Sequence, residues 1–248
     1  MDPGAYTIVG SALLQQRRLE ILANNLAQAN TVGYKTEIPT FKTVKNTLSL
    51  EEFPRLEDVA EQMEWRGTHI DFRQGFVKKT GNNLDVALNG PGFFVVRAPE
   101  GERYTRAGDF TLDKDGQIVT KEGWLVLGTG GEGIRIQTSA LAQGGIIINS
   151  DGEVRVGGQL SGKFNVVDFA KPYRLERRGS STYVPTNPEA QPQAVESPQI
   201  TQRSLEVSNV SAITEMVNLI EVARLYEIYQ KILQSFDEVD AIAINEIV

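Results

Sequence analysis

The run G-T-G-G-E-G at 128–133 sets Gly128, Gly130 and Gly133 at the spacing G-x-G-x-x-G, directly after the apolar Trp124-Leu125-Val126-Leu127. Glycines at that spacing let a backbone close on a pyrophosphate, provided that a helix follows and its first amides meet the phosphate. Here Ile134-Arg135-Ile136-Gln137 follows, alternating apolar with polar as a strand does, so the glycines read as a hairpin loop. Asp113, Asp115 and Gly116 imitate the opening of a calcium loop, but the glycine falls too early and the distal bidentate Glu is missing. His69 is the only histidine, so neither a catalytic triad nor a histidine-rich metal site can be assembled within one subunit. Cysteine is absent, which removes disulfides, thiolate metal sites and cysteine nucleophiles. No catalytic, cofactor-binding or metal residue is assigned, and no cofactor is expected.

The elements that would carry any site divide into helical ends and a β-rich middle. From about Ala5 to Ala29 the residues are good helix formers, and Ile8, Ala12, Leu19, Leu22 and Leu26 recur at a 4-3 spacing with Gln15 in the missing step. Pro3 and Gly4 stand where a helix can start, and Gly33 where one should stop. At the far end Leu225, Tyr229, Ile232, Phe236, Val239 and Ala243 alternate the same spacings, with Met216, Leu219, Ala223 and Tyr226 forming a second seam upstream. A long helix over about 211–245 is predicted. Between the ends, 93–96 (FFVV), 124–127 (WLVL), 146–148 (III) and 164–169 (FNVVDF) are short β-favouring runs. DKDGQIV at 113–119 and NSDGEVRV at 149–156 each place Asp-Gly where a tight hairpin needs positive φ. The Pro-rich 184–199 reads as a loop leading back to the last helix. The expected fold class is α+β: N- and C-terminal helices pairing in a coiled-coil-like tube domain, with a central all-β domain. Its parts are a helix in 1–35, an extended arm in 36–79, the β domain in 80–200 and the C-terminal helix in 201–248.

Charge sets limits on partners. The net charge of −7 argues against nucleic acid, which selects an excess of Lys and Arg on one surface. The charge is uneven. Arg17, Arg18 and Lys35 stand against Asp2 and Glu20 in 1–35, whereas three basic residues face eight acidic ones in 201–248, a pattern suited to pairing of the two ends. The start shows no uninterrupted apolar segment of a secretory signal, and no stretch of about 18 apolar residues spans a bilayer. Either a cytoplasmic location or export without a cleaved signal peptide is expected.

Three segments resemble the flagellar rod and hook family. Asn24-Asn25-Leu26-Ala27-Gln28-Ala29-Asn30-Thr31-Val32-Gly33-Tyr34-Lys35 is similar to its N-terminal signature, with Gln28 where Asn is usual and Val32 where Pro is frequent. The second is Leu84 to Val96, followed by Tyr104-Thr105-Arg106-Ala107-Gly108-Asp109-Phe110, Asp115-Gly116 and Gly123, which resembles the entry to its β domain. Ser208-Asn209-Val210 with Glu215-Met216-Val217-Asn218-Leu219-Ile220 resembles its C-terminal signature. Ala223 and Asp240 depart from distal members, and with the short length and Tyr226-Glu227 they favour the proximal-rod branch, the distal branch coming second.

The resemblance implies a structural subunit without turnover, exported by the flagellar type III apparatus. Such subunits stack with copies of themselves and other rod proteins into a hollow shaft that crosses the periplasm and transmits torque. It also implies an assembly seam, for which the helical spacing supplies Ile8, Leu19, Leu22, Leu26, Met216, Leu219, Leu225, Tyr229, Ile232, Phe236 and Val239. Two other classes stay open: a carbohydrate-acting protein with its site on the β domain, and a cytoplasmic coiled-coil adaptor.

Overall fold

The computed structural model describes residues 3–45, 61–137, 145–187 and 190–247. Two helices bound it, α1 (Pro3–Ala27) and α2 (Ala212–Ile247), within two residues of the spans that the spacing predicts. The chain forms two compact units: a helix unit of 1–27, 37–71 and 211–248, and a β unit of 28–36 and 72–210. With a helix at each end and strands between, the fold is α+β as expected.

In the helix unit α1 packs on α2, and Glu37–Lys45 pairs antiparallel with Glu61–Ile70 beside them. The face of α2 that is shielded runs through Glu215, Leu219, Val222, Tyr226, Tyr229, Leu233 and Phe236, a 4-3 alternation. Val222 is its most buried apolar member, and Ala12, Ile21 and Leu22 are buried on α1. Phe41 meets Trp65 edge to face across the paired strands. Of the extended arm expected over 36–79, residues 37–45 and 61–70 form this two-stranded ribbon, 46–60 lie outside the described residues and 72–79 belong to the β unit.

The β unit takes in more than the 80–200 span read from the sequence. Its largest sheet runs in the spatial order 175–177, 182–185, 101–105, 93–98, 125–126, 118–119 and 111–112, with 166–168 pairing beside 93–98. The uninterrupted apolar run 93–96 is the signature of a strand buried on both faces. Phe94 and Val96 enter an aliphatic core with Val86, Leu88, Ile118, Val126, Ile134, Ile136, Val154 and Phe164. Phe93 points the other way, into an edge-to-face cluster with Phe72, Phe169, Tyr173 and Tyr183. The sequence predicts a loop over 184–199 leading to the helix; instead Gln193–Ala194, Gln199–Gln202 and Ser204–Glu206 are strands that precede it.

Among the described residues one turn geometry recurs four times. At Asp113, Thr120, Gly128 and Asn149 the first residue's amide donates to the carbonyl four residues on, and the amide three residues on donates back to the first residue's carbonyl. The fourth position is Gly116, Gly123, Gly131 and Gly152, with φ of 75°, 84°, 77° and 90°. This is a three-residue hairpin loop in which only glycine enters the left-handed region without strain. In the first copy the Asp113 carboxylate accepts the amides of Asp115 (2.9 Å) and Gln117 (2.7 Å), so it is engaged in closing the turn.

Candidate assembly site

The later part of the N-terminal signature, 28–35, and Ser208-Asn209-Val210 of the C-terminal one lie together in the β unit. After α1, Thr31 closes a turn by donating its amide to the Gln28 carbonyl and its hydroxyl to Gln28 Oε1, at 2.6 Å. The Gln at a position where Asn is usual therefore has a local partner. Gly33 then takes φ of +68°, and a Cβ there would lie 2.3 Å from the Ala107 nitrogen. Glycine is required twice over, by conformation and by space. Its amide donates to the Glu206 carbonyl at 2.8 Å.

Tyr34, Lys35 and Glu206 are fully buried. Lys35 Nζ lies 2.5 Å from Glu206 Oε1 and donates to the Arg73 carbonyl at 2.7 Å. The same carboxylate oxygen accepts the Gly75 amide at 2.9 Å, and Arg106 Nη1 stands 3.4 Å from Glu206 Oε2. Arg106 also donates to the Gly90 carbonyl at 2.7 Å. A buried carboxylate held by two cations and an amide is tolerable, where an isolated one would not be. The Arg177 guanidinium lies 3.9 Å from the centre of the Tyr34 ring and donates to the Lys35 carbonyl. Burial raises the pKa of the neighbouring Tyr183 phenol, against the opposing pull of Arg177, so the ring stays neutral.

Asn209 binds the two chain exits side by side: its Oδ1 accepts both the amide and the hydroxyl of Thr36, each at 2.8 Å, and its Nδ2 donates to the Arg73 carbonyl. Ser208 is buried and its Oγ accepts the Val210 amide at 3.2 Å. Arg203 supplies the bend that delivers this segment, with φ of 58° between one strand pairing with 86–89 and another pairing with 77–79.

In the helix unit the buried Asn25 donates to the Glu37 carbonyl (2.8 Å) and accepts the Glu37 amide (3.0 Å). It also bonds the carboxyl of Glu215, whose pKa is raised first by burial, with Asn25 opposing. Asn24 and Asn30 are exposed, so the asparagine-rich signature contains one structural asparagine and two that face solvent.

The residues expected to form the seam fall into three groups. Leu22 is buried; Ile8, Leu19, Leu26, Leu219, Tyr229, Ile232 and Phe236 are half-buried; Met216 and Leu225 are exposed at 45% and 42%. The Val239 side chain lies outside the described residues. Val222, absent from the expected seam, and Glu215, quoted only as part of the C-terminal signature, both stand on the 4-3 alternation through Leu219 and Tyr226. Sequence reasoning missed Lys35, Arg106 and Glu206 as partners, because nothing in spacing pairs residues 171 apart.

Two terminal helices packed on each other, and a β unit whose buried charges are spent on holding the chain's ends, are the build of a structural protein. The comparisons agree segment by segment. Family models match as "Flagella basal body rod protein" over residues 6–35, "Flagellar hook protein FlgE/F/G D1 domain" over 87–156 and "Flagellar basal body rod FlgEFG protein C-terminal" over 201–246. The chain is 35% identical to the flagellar basal-body rod protein FlgF of Caulobacter vibrioides, over 100% of this chain and 98% of the relative. It is 33% identical to FlgF of Rhizobium meliloti over 92% of this chain and 90% of the relative. With FlgG of Buchnera aphidicola (subsp. Schizaphis graminum) it shares 31% identity over 90% and 92%. The chain belongs to the flagellar basal-body rod protein family, structural proteins of the bacterial flagellum. Within that family it is proximal-rod-like, as the sequence departures indicate.

Proposed function

We propose that this chain is a non-enzymatic rod subunit that stacks helically with copies of itself and with other rod proteins into a hollow, torque-transmitting shaft crossing the periplasm. Export through the flagellar type III apparatus, without a cleaved signal peptide, is part of the same reading. The observation that carries it is a second apolar stripe on α2. Ile213, Val217, Ile220 and Ile228 are 75%, 50%, 52% and 51% exposed, on the side away from the face that α1 covers. Their spacing of four, three and eight keeps them on one face of a helix. An amphipathic helix needs one apolar face for its own fold, and a second such face stays in water unless another chain covers it. The half-buried seam residues, among them Leu19, Leu26, Ile232 and Phe236, would complete their burial in the same assembly. No described helix is long and apolar enough to cross a membrane, so the shaft would be held by protein contacts.

Complementation of a rod-deficient strain tests the reading. The unmodified chain should restore swimming, and Ile220→Asp, which puts a charge on the second stripe, should be produced at normal levels yet leave cells non-motile. Normal swimming with Ile220→Asp would contradict the role given to that stripe.

A further inference from the structure

Glu206 belongs to three separate stretches of chain at once. Its carboxylate takes Lys35 from the N-terminal signature, the Gly75 amide from the segment after the helix unit, and Arg106 from the sheet, partners 171, 131 and 100 residues away in sequence. The stretches also approach too closely for any side chain between them: a Cβ on Gly75 would meet the Val207 carbonyl oxygen at 2.0 Å, and one on Gly33 the Ala107 nitrogen at 2.3 Å. Lys35 and Glu206 are both at 0% exposure. Neither can be buried alone, because an uncompensated charge in that site opposes the fold far more than the pair supports it.

We infer that Glu206 is a closing latch of the β unit, through which residues 28–36, 72–76 and 203–209 order and release as one cooperative element. The buried residues of the aliphatic core all fall within 86–200, outside the three stretches. Lys35 cannot be buried before Glu206 arrives, and Glu206 docked on Arg106 alone, at 3.4 Å, would leave its Oε1 without Lys35 and the Gly75 amide. The unit therefore closes last, when the residues just before α2 arrive, and Thr36 and Asn209 bring both chain exits together in that same step.

Native-state hydrogen exchange on the full-length chain tests it. Four amides report the latch: Gly33, Thr36, Gly75 and Val207, each with an acceptor in the cluster or its flanks. In low denaturant all four should share one opening reaction, distinct from the slower exchange of Ile118 and Leu127 in the core. Glu206→Gln and Lys35→Met should each speed all four by a common factor, about tenfold or more, leaving the core amides unchanged. Four unrelated opening reactions in the unmodified chain, or a Lys35→Met effect confined to Gly33 and Thr36, would overturn the latch. The unmodified protein decides the question even if a variant does not fold.

Discussion

The Asn25 side chain exchanges two hydrogen bonds with the backbone of Glu37, standing in for a strand partner at the place where the paired strands meet the end of α1. Both backbone groups would otherwise lack those partners. Asn25→Ala should lower stability by about 2 kcal/mol, the range for orphaning buried polar groups. Asn25→Asp should be worse, because its second oxygen faces the Glu37 carbonyl and the nearby Glu215 carboxyl. Chemical denaturation of the two variants checks the order.

Glu215 carries the pH dependence of the helix unit. Burial raises its pKa above the ordinary 4.5, so the folded chain holds this proton more tightly than the unfolded one. Its protonated form adds no penalty below pH 4.5. As pH rises from there through the folded value, stability falls, and the penalty then stays constant at neutral pH. Glu215→Gln should therefore raise the melting temperature at pH 7 and leave it unchanged at pH 4. Thermal melts at the two pH values, with a gain confined to the higher one, would bear this out.

In the 128–133 loop Gly131 takes the left-handed conformation, at φ of +77°, while a Cβ on Gly130 would meet nothing within 4 Å. Gly131→Ala should cost about 1 kcal/mol, and Gly130→Ala should be neutral or slightly stabilising. Neither should alter calorimetric titrations with NAD, ATP or GTP, which should show no saturable binding at about 100 μM.

The two faces of α2 should separate stability from assembly. Val222, 2% exposed, lies on the face that α1 covers, so Val222→Asp should destabilise the isolated subunit by several kcal/mol. Ile213, 75% exposed, lies on the other, so Ile213→Asp should leave the subunit's melting curve unchanged and abolish incorporation into the rod. Phe236→Asp, at a half-buried position, should impair both. Melting of purified subunits beside motility assays distinguishes the three.

The sequence made the periodic elements legible and left the long-range partners hidden. Helical spacing locates α1 and α2 because burial against a neighbouring helix imposes it on local sequence, and FFVV marks a β-favouring run, whose burial on both faces only the structure shows. The x-x-x-Gly turns were read correctly where Asp preceded Gly, at 113–116 and 149–152. At 120–123 no Asp precedes the glycine and nothing marks the turn, whereas at 128–133 the hairpin-loop reading holds, with Gly131 rather than Gly130 in the left-handed region. Lys35 and Glu206 gave no signal, since an ion pair across 171 positions leaves no period. Leu225 and Met216 stand on seams by their 4-3 spacing, and both are exposed in the subunit, at 42% and 45%, beside the face that Val222 anchors.

Immunoblotting purified hook–basal bodies with an antibody to the β unit tests whether this chain is built into the flagellar rod. The chain should be present after detergent and salt washes, in constant ratio to other rod proteins, and absent from basal bodies of a strain lacking its gene. Basal bodies that are complete and motile-competent without it would contradict the assignment.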